Sequence, residues 1–373
     1  MSGHVLVAPD KFKGSATAAQ VAAHLAAGVR AAGRHAVELP VADGGEGTRD
    51  AAVAAGFRPV GVTVSGPTGR PVRAGIAVRH GTAVVELAAA SGLAQLPAGP
   101  DPLRASSRGT GELVVAALDA GAATVVLGVG GSACTDGGAG MLAALGARLL
   151  DADGAPLPDG GAALARLARV DLSGLDRRLA GTRIVLACDV DNTLLGPAGA
   201  AAVYGPQKGA GPGEVAELEA ALARWAQVLG ASAAHESGAG AAGGVGFAAL
   251  AVLGAERRSG IEVVLELVGF GPLLAGAALV ITGEGALDEQ TLHGKAPAGV
   301  ARAARVAGVP VVAVCGRSSL APDRARAAGL GTVHVLSDVE PDLARCLADP
   351  GPPLRALAQR IAEAPDPQAI GRI

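Results

Sequence analysis

The stretch HVLVAPDKFKGSATAAQVAAHLAAGVRAA, which covers residues 4–32, decides the fold class of this chain. Its opening, residues 4–9, is a short apolar run that is typical of a buried β-strand. Residues 16–32 place apolar side chains one helical turn apart and predict a helix, which Ser15 is in position to cap. The stretch therefore predicts a strand followed by a helix, the unit from which α/β domains are built.

The same alternation continues along the chain and returns near its other end. Residues 37–40 predict a second strand and residues 46–55 a second helix. From about residue 277 the alternation resumes, with strands predicted at 278–281, 309–314 and 331–335 and helices at 297–306, 322–328, 342–347 and 353–364. The two ends of the chain therefore predict one doubly wound α/β domain.

The middle of the chain has a different pattern of predicted strands and helices. Three short strands are joined by Gly-Pro and His-Gly turns without a helix between them, which predicts a β-meander over residues 57–64, 73–78 and 82–87. The elements predicted after it are strands at 124–127 and 184–187 and helices at 111–120, 138–149, 214–229 and 241–253. We therefore expect a boundary near residue 60 and an inserted α/β domain between the two ends.

The composition limits the classes of function. The 373-residue chain has a net charge of −3, so it lacks the basic footprint of a nucleic-acid-binding protein. No apolar run reaches the length of a membrane span, and the start of the chain has no leader-like pattern. The four cysteines form no Cys-x-x-Cys pair, which favours reduced thiols. We expect a cytoplasmic protein that binds neither nucleic acid nor membranes.

Five segments combine glycine with acidic, lysine or hydroxyl side chains, and at least four of them follow a predicted strand. In open α/β sheets, ligands bind at the carboxyl ends of the strands. Glycine lets backbone N–H groups approach an anion, but nearby carboxylates repel it unless a cation lies between, so the combination predicts phosphate with Mg²⁺. The segments are residues 9–15, 42–48, 130–138, 187–197 and 282–290.

Residues 128–133 also fit the pattern Gly-x-Gly-x-x-Ala of dinucleotide-binding loops. Residues 238–243 fit a similar pattern without a preceding strand, so the pattern alone does not discriminate. Both segments predict a backbone nest that suits a phosphate. The sequence contains neither a P-loop nor the signature motifs of protein kinases. All four lysines lie in loops rich in glycine or proline, where we expect an anionic partner: Lys11, Lys13, Lys208 and Lys295.

Residues 187–197 read ACDVDNTLLGP and follow an apolar strand. This arrangement resembles the haloacid-dehalogenase-type phosphatases, in which a strand leads into Asp-x-Asp-x-Thr and the first aspartate is the nucleophile. The resemblance would make Asp189 the nucleophile, with Thr282, Lys295 and Asp288 in the other roles. The order of the lysine and of the late acidic groups does not match well, so a phosphatase is the alternative interpretation.

A second resemblance covers almost the whole chain. In order, the loops resemble the motifs of the bacterial glycerate kinase family of type 1: APDKFKGS (8–15), ADGGEGT (42–48), GTGEL (109–113), GGSACTDGGAGM (130–141), ACDVDNTLLG (187–196), YGPQKGA (204–210), GAGAAGGVG (238–246) and TGEGALDEQTLHGKAPAGVA (282–301). The chain departs from the family motifs where Cys134 and Thr135 replace threonine and asparagine, and where Thr193 replaces proline.

This resemblance implies transfer of the γ-phosphate of ATP to D-glycerate with Mg²⁺, at a site in the cleft between two domains. It also implies a flavodoxin-like domain, residues 1–60 plus 270–373, and an inserted restriction-enzyme-like domain, residues 61–269. We expect 2-phosphoglycerate and ADP as products, with 3-phosphoglycerate as the alternative product, and a chain that is a monomer or a homodimer.

The resemblance and the loop chemistry together suggest roles for individual residues. We expect Asp189 and Asp191 to hold Mg²⁺ or to orient the glycerate hydroxyl, and one of them to be its general base. The expected catalytic lysines are Lys11, Lys13 and Lys208. The expected contacts to the nucleotide are Gly130, Gly131, Ser132, Asp136, Gly137, Gly243 and Gly244. The expected contacts to the substrate are Asp43, Glu46, Ser132, Glu284 and Asp288.

Overall fold

The computed structural model of the chain describes residues 3–230, 232–292 and 294–364. The strands are β1 (His4–Pro9), β2 (Ala36–Glu38), β3 (Arg58–Ser65), β4 (Pro71–Arg79), β5 (Thr82–Glu86), β6 (Thr124–Gly128), β7 (Arg148–Leu150), β8 (Arg169–Asp171), β9 (Arg183–Ala187), β10 (Glu256–Arg258), β11 (Ala277–Leu287), β12 (Val311–Ser318) and β13 (Thr332–Val335).

The helices alternate with the strands over much of the chain. They are α1 (Ala18–Ala31), α2 (Thr48–Ala54), α3 (Ala88–Ser91), α4 (Arg108–Asp119), α5 (Ala139–Ala144), α6 (Ala200–Tyr204), α7 (Pro212–Leu229), α8 (Ala241–Ala251), α9 (Gly260–Val268), α10 (Phe270–Leu274), α11 (Ala296–Val306), α12 (Pro322–Ala327), α13 (Leu343–Ala348) and α14 (Gly351–Glu363). In the described ranges, no helix is both long and apolar enough to cross a membrane.

The chain forms two compact units. Unit 1 contains Met1–Asp43, Asp50–Gly56 and Ser259–Ile373. Its sheet is five-stranded, with the order β13-β12-β11-β1-β2, and every pair is parallel. The chain passes from β1 to β2 on one side and later adds β11, β12 and β13 on the other. The direction of winding therefore reverses between β1 and β11, and this is where open α/β sheets bind ligands.

The core of unit 1 follows the alternation of side chains along β1. Val5 and Val7 point to one face, where they belong to a cluster that includes apolar residues of α1 and α14. Leu6 and Ala8 point to the other face and pack in a cluster with α9 and α11. Both faces of the sheet are thus covered, which explains why the strand reads as a continuous apolar run.

Unit 2 contains Gly44–Arg49 and Phe57–Arg258. Its main sheet has the order β10-β9-β6-β5-β4-β3. The strands from β10 to β5 are parallel to their neighbours, whereas β5-β4 and β4-β3 are antiparallel and form the predicted meander. The carboxyl ends of β5, β6 and β9 therefore lie at one edge of this sheet.

Two local predictions were wrong. The predicted helix over residues 138–149 is shorter, because α5 ends at Ala144 and Gly146 has a φ of +106°, which helices exclude. The chain then forms β7, which pairs antiparallel with β8. At the start of α1, the N-cap is Thr17 and not Ser15, since the Thr17 hydroxyl accepts the Gln20 N–H and the Gln20 side chain accepts the Thr17 N–H.

Candidate active site

In unit 1, a buried carboxyl group lies directly beyond β1 at the reversal of strand order. The register pairs Pro9 with Gly283 of β11, and the Asp10 N–H donates to the Gly283 carbonyl at 2.8 Å. This ladder places Asp10 and Glu284 at the carboxyl ends of neighbouring parallel strands. Asp10 is only 6% exposed.

The surroundings of Asp10 carry charge of both signs. Its Oδ1 accepts the Lys11 backbone N–H at 2.6 Å and lies 4.0 Å from the Lys11 Nζ. Burial is the largest effect and raises the pKa of Asp10 to about 7, while Lys11 lowers it and the charges of Asp43 and Glu284 raise it. Asp10 therefore changes protonation near neutral pH, as a general base for physiological chemistry does.

The last part of β11 and the loop after it form a second polar cluster. Glu284 accepts a hydrogen bond from the Thr291 hydroxyl at 2.5 Å, and the Thr291 N–H donates to Asp288 at 3.2 Å. The Lys295 Nζ lies 3.6 Å from Glu284 and 3.5 Å from Asp288. Burial raises the pKa of Glu284, although Thr291 and Lys295 oppose this shift. The cluster keeps one ammonium group between two acidic side chains.

The loop after β1 packs against β11 at Gly285. A Cβ at this position would lie 3.3 Å from both the Lys13 N and the Phe12 Cα. This close approach holds the segment that carries Lys11 and Lys13, and Lys13 is exposed. The structure thus brings four predicted site residues of unit 1 to the carboxyl ends of its central strands: Lys11, Asp43, Glu284 and Asp288.

In unit 2, the two predicted aspartates follow β9. Asp189 is half-buried and Asp191 is exposed. The Oδ1 of Asp191 accepts the Ser237 hydroxyl and an Arg257 N–H, each at 2.6 Å. Ser237, and then Arg257, lower the pKa of Asp191. A carboxylate held in its charged form suits the binding of a cation better than the uptake of a proton.

The glycine-rich loop after β6 is divided into an exposed and a buried half. The exposed half contains Gly130 and Gly131, followed by Ser132, which is 7% exposed. Among the described residues, no group accepts the backbone N–H of any of these three. Gly131 has a φ of +74°, so the backbone turns into the left-handed region that forms anion-binding nests. This half offers three free donors.

The buried half of the same loop is held together by Asp136. This fully buried carboxyl group accepts the N–H and the hydroxyl of Ser107, each at 2.8 Å, and the N–H groups of Gly138 and Gly140. Burial raises the pKa of Asp136, and these donors oppose the shift. The donors occupy both carboxylate oxygens, so Asp136 holds the loop together, and its contact with the nucleotide stays a prediction.

The predicted cradle at the start of α8 is also internal. Gly243 has a φ of +69°, and a Cβ there would lie 2.1 Å from the Cys134 carbonyl oxygen. A Cβ at Gly244 would lie 2.7 Å from the Gly137 Cα, and the Gly137 N–H donates to the Gly243 carbonyl at 2.9 Å. Protein backbone therefore occupies the space that these glycines leave open, and a phosphate is not needed to explain them.

Lys208 is buried in unit 2, with 1% of its surface exposed. Its Nζ donates to the Cys134 carbonyl at 2.5 Å. Burial lowers the pKa of Lys208, while the nearby Cys134 and Asp136 raise it. Lys208 thus makes an internal hydrogen bond that holds the buried half of the glycine-rich loop, and its contact with a substrate stays a prediction.

The loop Gly44–Arg49 is attached to unit 2 by a carboxylate that the sequence analysis did not single out. Glu86, at the end of β5, is 7% exposed and accepts the Gly47 N–H at 2.9 Å and the Arg49 N–H at 3.2 Å. Glu46 itself is exposed. Glu86 thereby fixes the loop that carries a predicted substrate contact.

Asp10, Thr291 and Glu86 are the polar groups that sequence reasoning missed. Asp10 lies within the quoted motif APDKFKGS, so the motif was the signal that could have found it. Thr291 lies in the last quoted motif, but its partner Glu284 is known only from the fold. Glu86 ends a strand and has no glycine-rich context in sequence.

The donor set fits Mg²⁺ that is bound together with phosphates. Among the described residues, no group of three or more His, Cys, Asp and Glu side chains is arranged to hold a metal ion. Mg²⁺ commonly uses only one or two carboxylates and completes its shell with water and substrate phosphates. Asp189 and Asp191 match that requirement, since both hydrogen bonds to Asp191 from Ser237 and Arg257 use a single oxygen.

Comparisons with known proteins agree along the whole chain. A family model described as the glycerate kinase family matches residues 5–365. A glycerate kinase of Bacillus subtilis strain 168 is 48% identical over 325 residues, which cover 84% of this chain and 85% of the relative. A glycerate 2-kinase of Escherichia coli K12 is 46% identical over 343 residues, covering 88% and 87%.

A comparison with a solved structure agrees with these sequence comparisons. A crystal structure from Salmonella typhimurium LT2, described there as a candidate glycerate kinase 2, superposes with a TM-score of 0.83 at 43% identity and covers 97% of this chain and 98% of its own. The match extends over a mixed α/β architecture with one parallel, one mixed and one two-stranded antiparallel sheet. On these grounds, the chain belongs to the glycerate kinase family.

Proposed function

We propose that this protein transfers the γ-phosphate of ATP to D-glycerate and forms 2-phosphoglycerate and ADP. The observation that carries this proposal is the similarity to glycerate kinases over residues 5–365, which includes every loop at the carboxyl ends of the strands. The relative from Escherichia coli is a glycerate 2-kinase, and this supports the 2-phospho product over the 3-phospho alternative. Family membership also favours a kinase over a phosphatase with Asp189 as nucleophile.

The nucleotide phosphates are assigned to Gly130, Gly131 and Ser132. Three unpaired N–H groups in a left-handed turn provide the donors that a phosphate chain requires. Asp136, Gly137, Gly243, Gly244 and Lys208 act from inside unit 2, where they shape and support this loop. This division gives the exposed half of the loop the binding role and the buried half a supporting role.

Mg²⁺ is assigned to Asp189 and Asp191. When bound, the ion neutralises charge on the phosphates during transfer. Arg257 and Ser237 keep the Asp191 carboxylate charged and oriented. No covalent intermediate is required, because phosphoryl transfer depends mainly on positioning and on charge stabilisation.

The acceptor is assigned to the polar groups of unit 1 and to the exposed Glu46. Lys11 and Lys13 carry positive charge for the carboxylate of glycerate and for the transferring phosphoryl group. Asp43, Glu284 and Asp288 can accept hydrogen bonds from the glycerate hydroxyls, with Lys295 held between the last two. Such a mixture of charges suits a small hydroxy acid.

For the architecture, we propose a flavodoxin-like domain in unit 1 and a restriction-enzyme-like domain in unit 2. The support for the first is the all-parallel order β2-β1-β11-β12-β13, which is the 2-1-3-4-5 order of flavodoxin-like sheets. We also propose a cytoplasmic monomer or homodimer. The four cysteines are free thiols, which agrees with a reducing compartment.

The proposal is tested by incubating the purified protein with ATP, Mg²⁺ and D-glycerate and following ADP release and the ³¹P NMR spectrum. The expected result is glycerate-dependent ADP and one new phosphomonoester resonance, assigned by addition of authentic 2- and 3-phosphoglycerate. ADP formation no greater than in the control without glycerate would refute the kinase. Phosphate release from phosphoesters without nucleotide would support the phosphatase alternative.

A further inference from the structure

We propose that Asp10 is the general base that removes the proton from the acceptor hydroxyl of glycerate during phosphoryl transfer. This inference deepens the proposed function and rests on it. It replaces the expectation that Asp189 or Asp191 takes this proton.

The position of Asp10 is that of a ligand-facing group in an open α/β sheet. It follows β1, the strand at which the sheet of unit 1 reverses its winding, and its backbone is tied to Gly283 of the neighbouring strand at 2.8 Å. This hydrogen bond fixes the backbone from which the Asp10 carboxyl group extends, and a general base requires such a fixed position. Glu284 and the polar cluster around it lie on the adjacent strand end.

The groups that face Asp10 come from each neighbouring element. They are Lys11 on its own loop, Asp43 after β2, and Glu284 on β11. Burial, and then the two carboxylates, disfavour a negative charge on Asp10, whereas Lys11 favours the charged form. The resulting pKa of about 7 makes Asp10 a stronger base than an ordinary aspartate and leaves it largely deprotonated above neutral pH. Asp191 has the opposite environment, because Ser237 and Arg257 stabilise its charge.

The O–H bond of the acceptor breaks, and its proton moves to the Asp10 carboxylate. The acceptor oxygen forms a bond to the γ-phosphorus while the bond from that phosphorus to the bridging oxygen breaks. ADP leaves with the bonding electron pair, and Asp10 later returns its proton to water.

The experiment measures kcat and kcat/KM for D-glycerate against pH at saturating ATP and Mg²⁺. The wild-type kcat/KM should fall as the pH decreases through about 7. Asp10→Asn should remove this fall at low pH, which is the acid limb of the profile. It should also lower kcat by roughly 10²- to 10⁴-fold, the usual contribution of a general base. The KM for ATP should not change, because Asp10 does not bind the nucleotide in this proposal.

The neighbouring charges supply a second, independent readout. Glu284→Gln should move the acid limb of kcat/KM to lower pH, since it removes a negative charge that raises the pKa of Asp10. Lys11→Met should move the limb to higher pH for the opposite reason. The matched control is Asp323→Asn, an exposed acid of unit 1 that is paired with Arg326, and it should leave the limb in place.

The outcomes separate the two levels of the proposal. Without glycerate-dependent ADP in the wild type, the proposed function fails and this inference fails with it. An active wild type together with an Asp10→Asn variant that keeps the acid limb overturns the base assignment alone. Recovery of kcat in Asp10→Asn by excess Mg²⁺ also overturns it, since that result identifies a metal ligand. If circular dichroism shows that Asp10→Asn does not fold, the acid limb of kcat/KM in the other two variants decides. Opposite shifts of this limb in Glu284→Gln and Lys11→Met support the inference, and a limb that moves in neither variant refutes it.

Discussion

Replacing Gly243 by alanine tests whether the glycines at the start of α8 pack against protein or bind a phosphate. The new Cβ would lie 2.1 Å from the Cys134 carbonyl oxygen and 2.6 Å from the Thr135 Cα, and backbone atoms cannot swing away. Alanine at a left-handed φ costs roughly 1–2 kcal/mol. Overpacking adds typically about 1–3 kcal/mol. We therefore expect Gly243→Ala to lower the free energy of unfolding by roughly 2–5 kcal/mol.

Gly230 is the matched control, because it has nearly the same backbone conformation without the contact. Its φ is +67°, against +69° at Gly243, and a Cβ there meets nothing within 4 Å. Gly230→Ala should therefore lower the free energy of unfolding only by the cost of the backbone conformation, roughly 1–2 kcal/mol. The difference between the two variants in urea unfolding isolates the close approach at Gly243. Equal destabilisation of the two variants would refute the packing argument.

A third variant, Gly131→Ala, tests ATP binding. The φ of Gly131 is +74°, and the nearest atom to a new Cβ is the Ala88 Cβ at 3.3 Å. Gly131→Ala should weaken ATP binding because it disturbs the turn that presents the free N–H groups. Gly243→Ala should retain ATP affinity at temperatures where it is folded. Isothermal titration with a non-hydrolysable ATP analogue compares the two, and the reverse pattern would move the phosphate site to α8.

Three further results are expected. Burial lowers the pKa of Lys208, so just below pH 10.5 the wild-type folded state binds fewer protons than the unfolded state, and the free energy of unfolding rises with pH. Lys208→Met should remove this rise, which urea unfolding at two pH values measures. Asp191→Asn removes an exposed ion pair with Arg257 and should change the free energy of unfolding by less than about 1 kcal/mol. The same variant should raise the Mg²⁺ concentration needed for ATP turnover. Thr291→Val should raise the KM for glycerate, because Glu284 loses the hydroxyl that stabilises its charge, while Thr291→Ser should restore it.

The central strands of unit 1, β1, β11 and β12, were predictable because they are largely buried and therefore read as apolar runs. The predicted strand at residues 4–9 agrees with β1, and the predicted helix at residues 297–306 differs from α11 by one residue. The predicted helix over residues 138–149 failed for a local reason, since composition does not reveal that Gly146 adopts a φ of +106°. Apolar periodicity measures burial, and it does not detect a single left-handed residue.

The site was less predictable than the fold, because a motif does not state which of its groups are already bonded to protein. The loop at residues 130–138 looks uniform in sequence, yet its first three N–H groups are free and Asp136 is enclosed. Lys208 has the loop context of a ligand-binding lysine, but its partner is the Cys134 carbonyl, which is 74 residues away in sequence. Only the fold decides whether a polar side chain binds the chain itself or remains available to a ligand.

Burial and charge divide the work between two carboxylates that look alike in sequence. Asp10 and Asp191 each follow an apolar strand, and each lies in a motif shared with glycerate kinases. Asp10 is enclosed and faces Asp43 and Glu284, so its pKa rises to about 7, whereas the pKa of the exposed Asp191 is lowered by Ser237 and Arg257. Two carboxyl groups whose pKa values are driven apart can serve as a proton acceptor and as a permanent anion in the same reaction. Within the proposed function, this electrostatic difference favours proton removal by Asp10 and cation binding by Asp191, without any change in residue type.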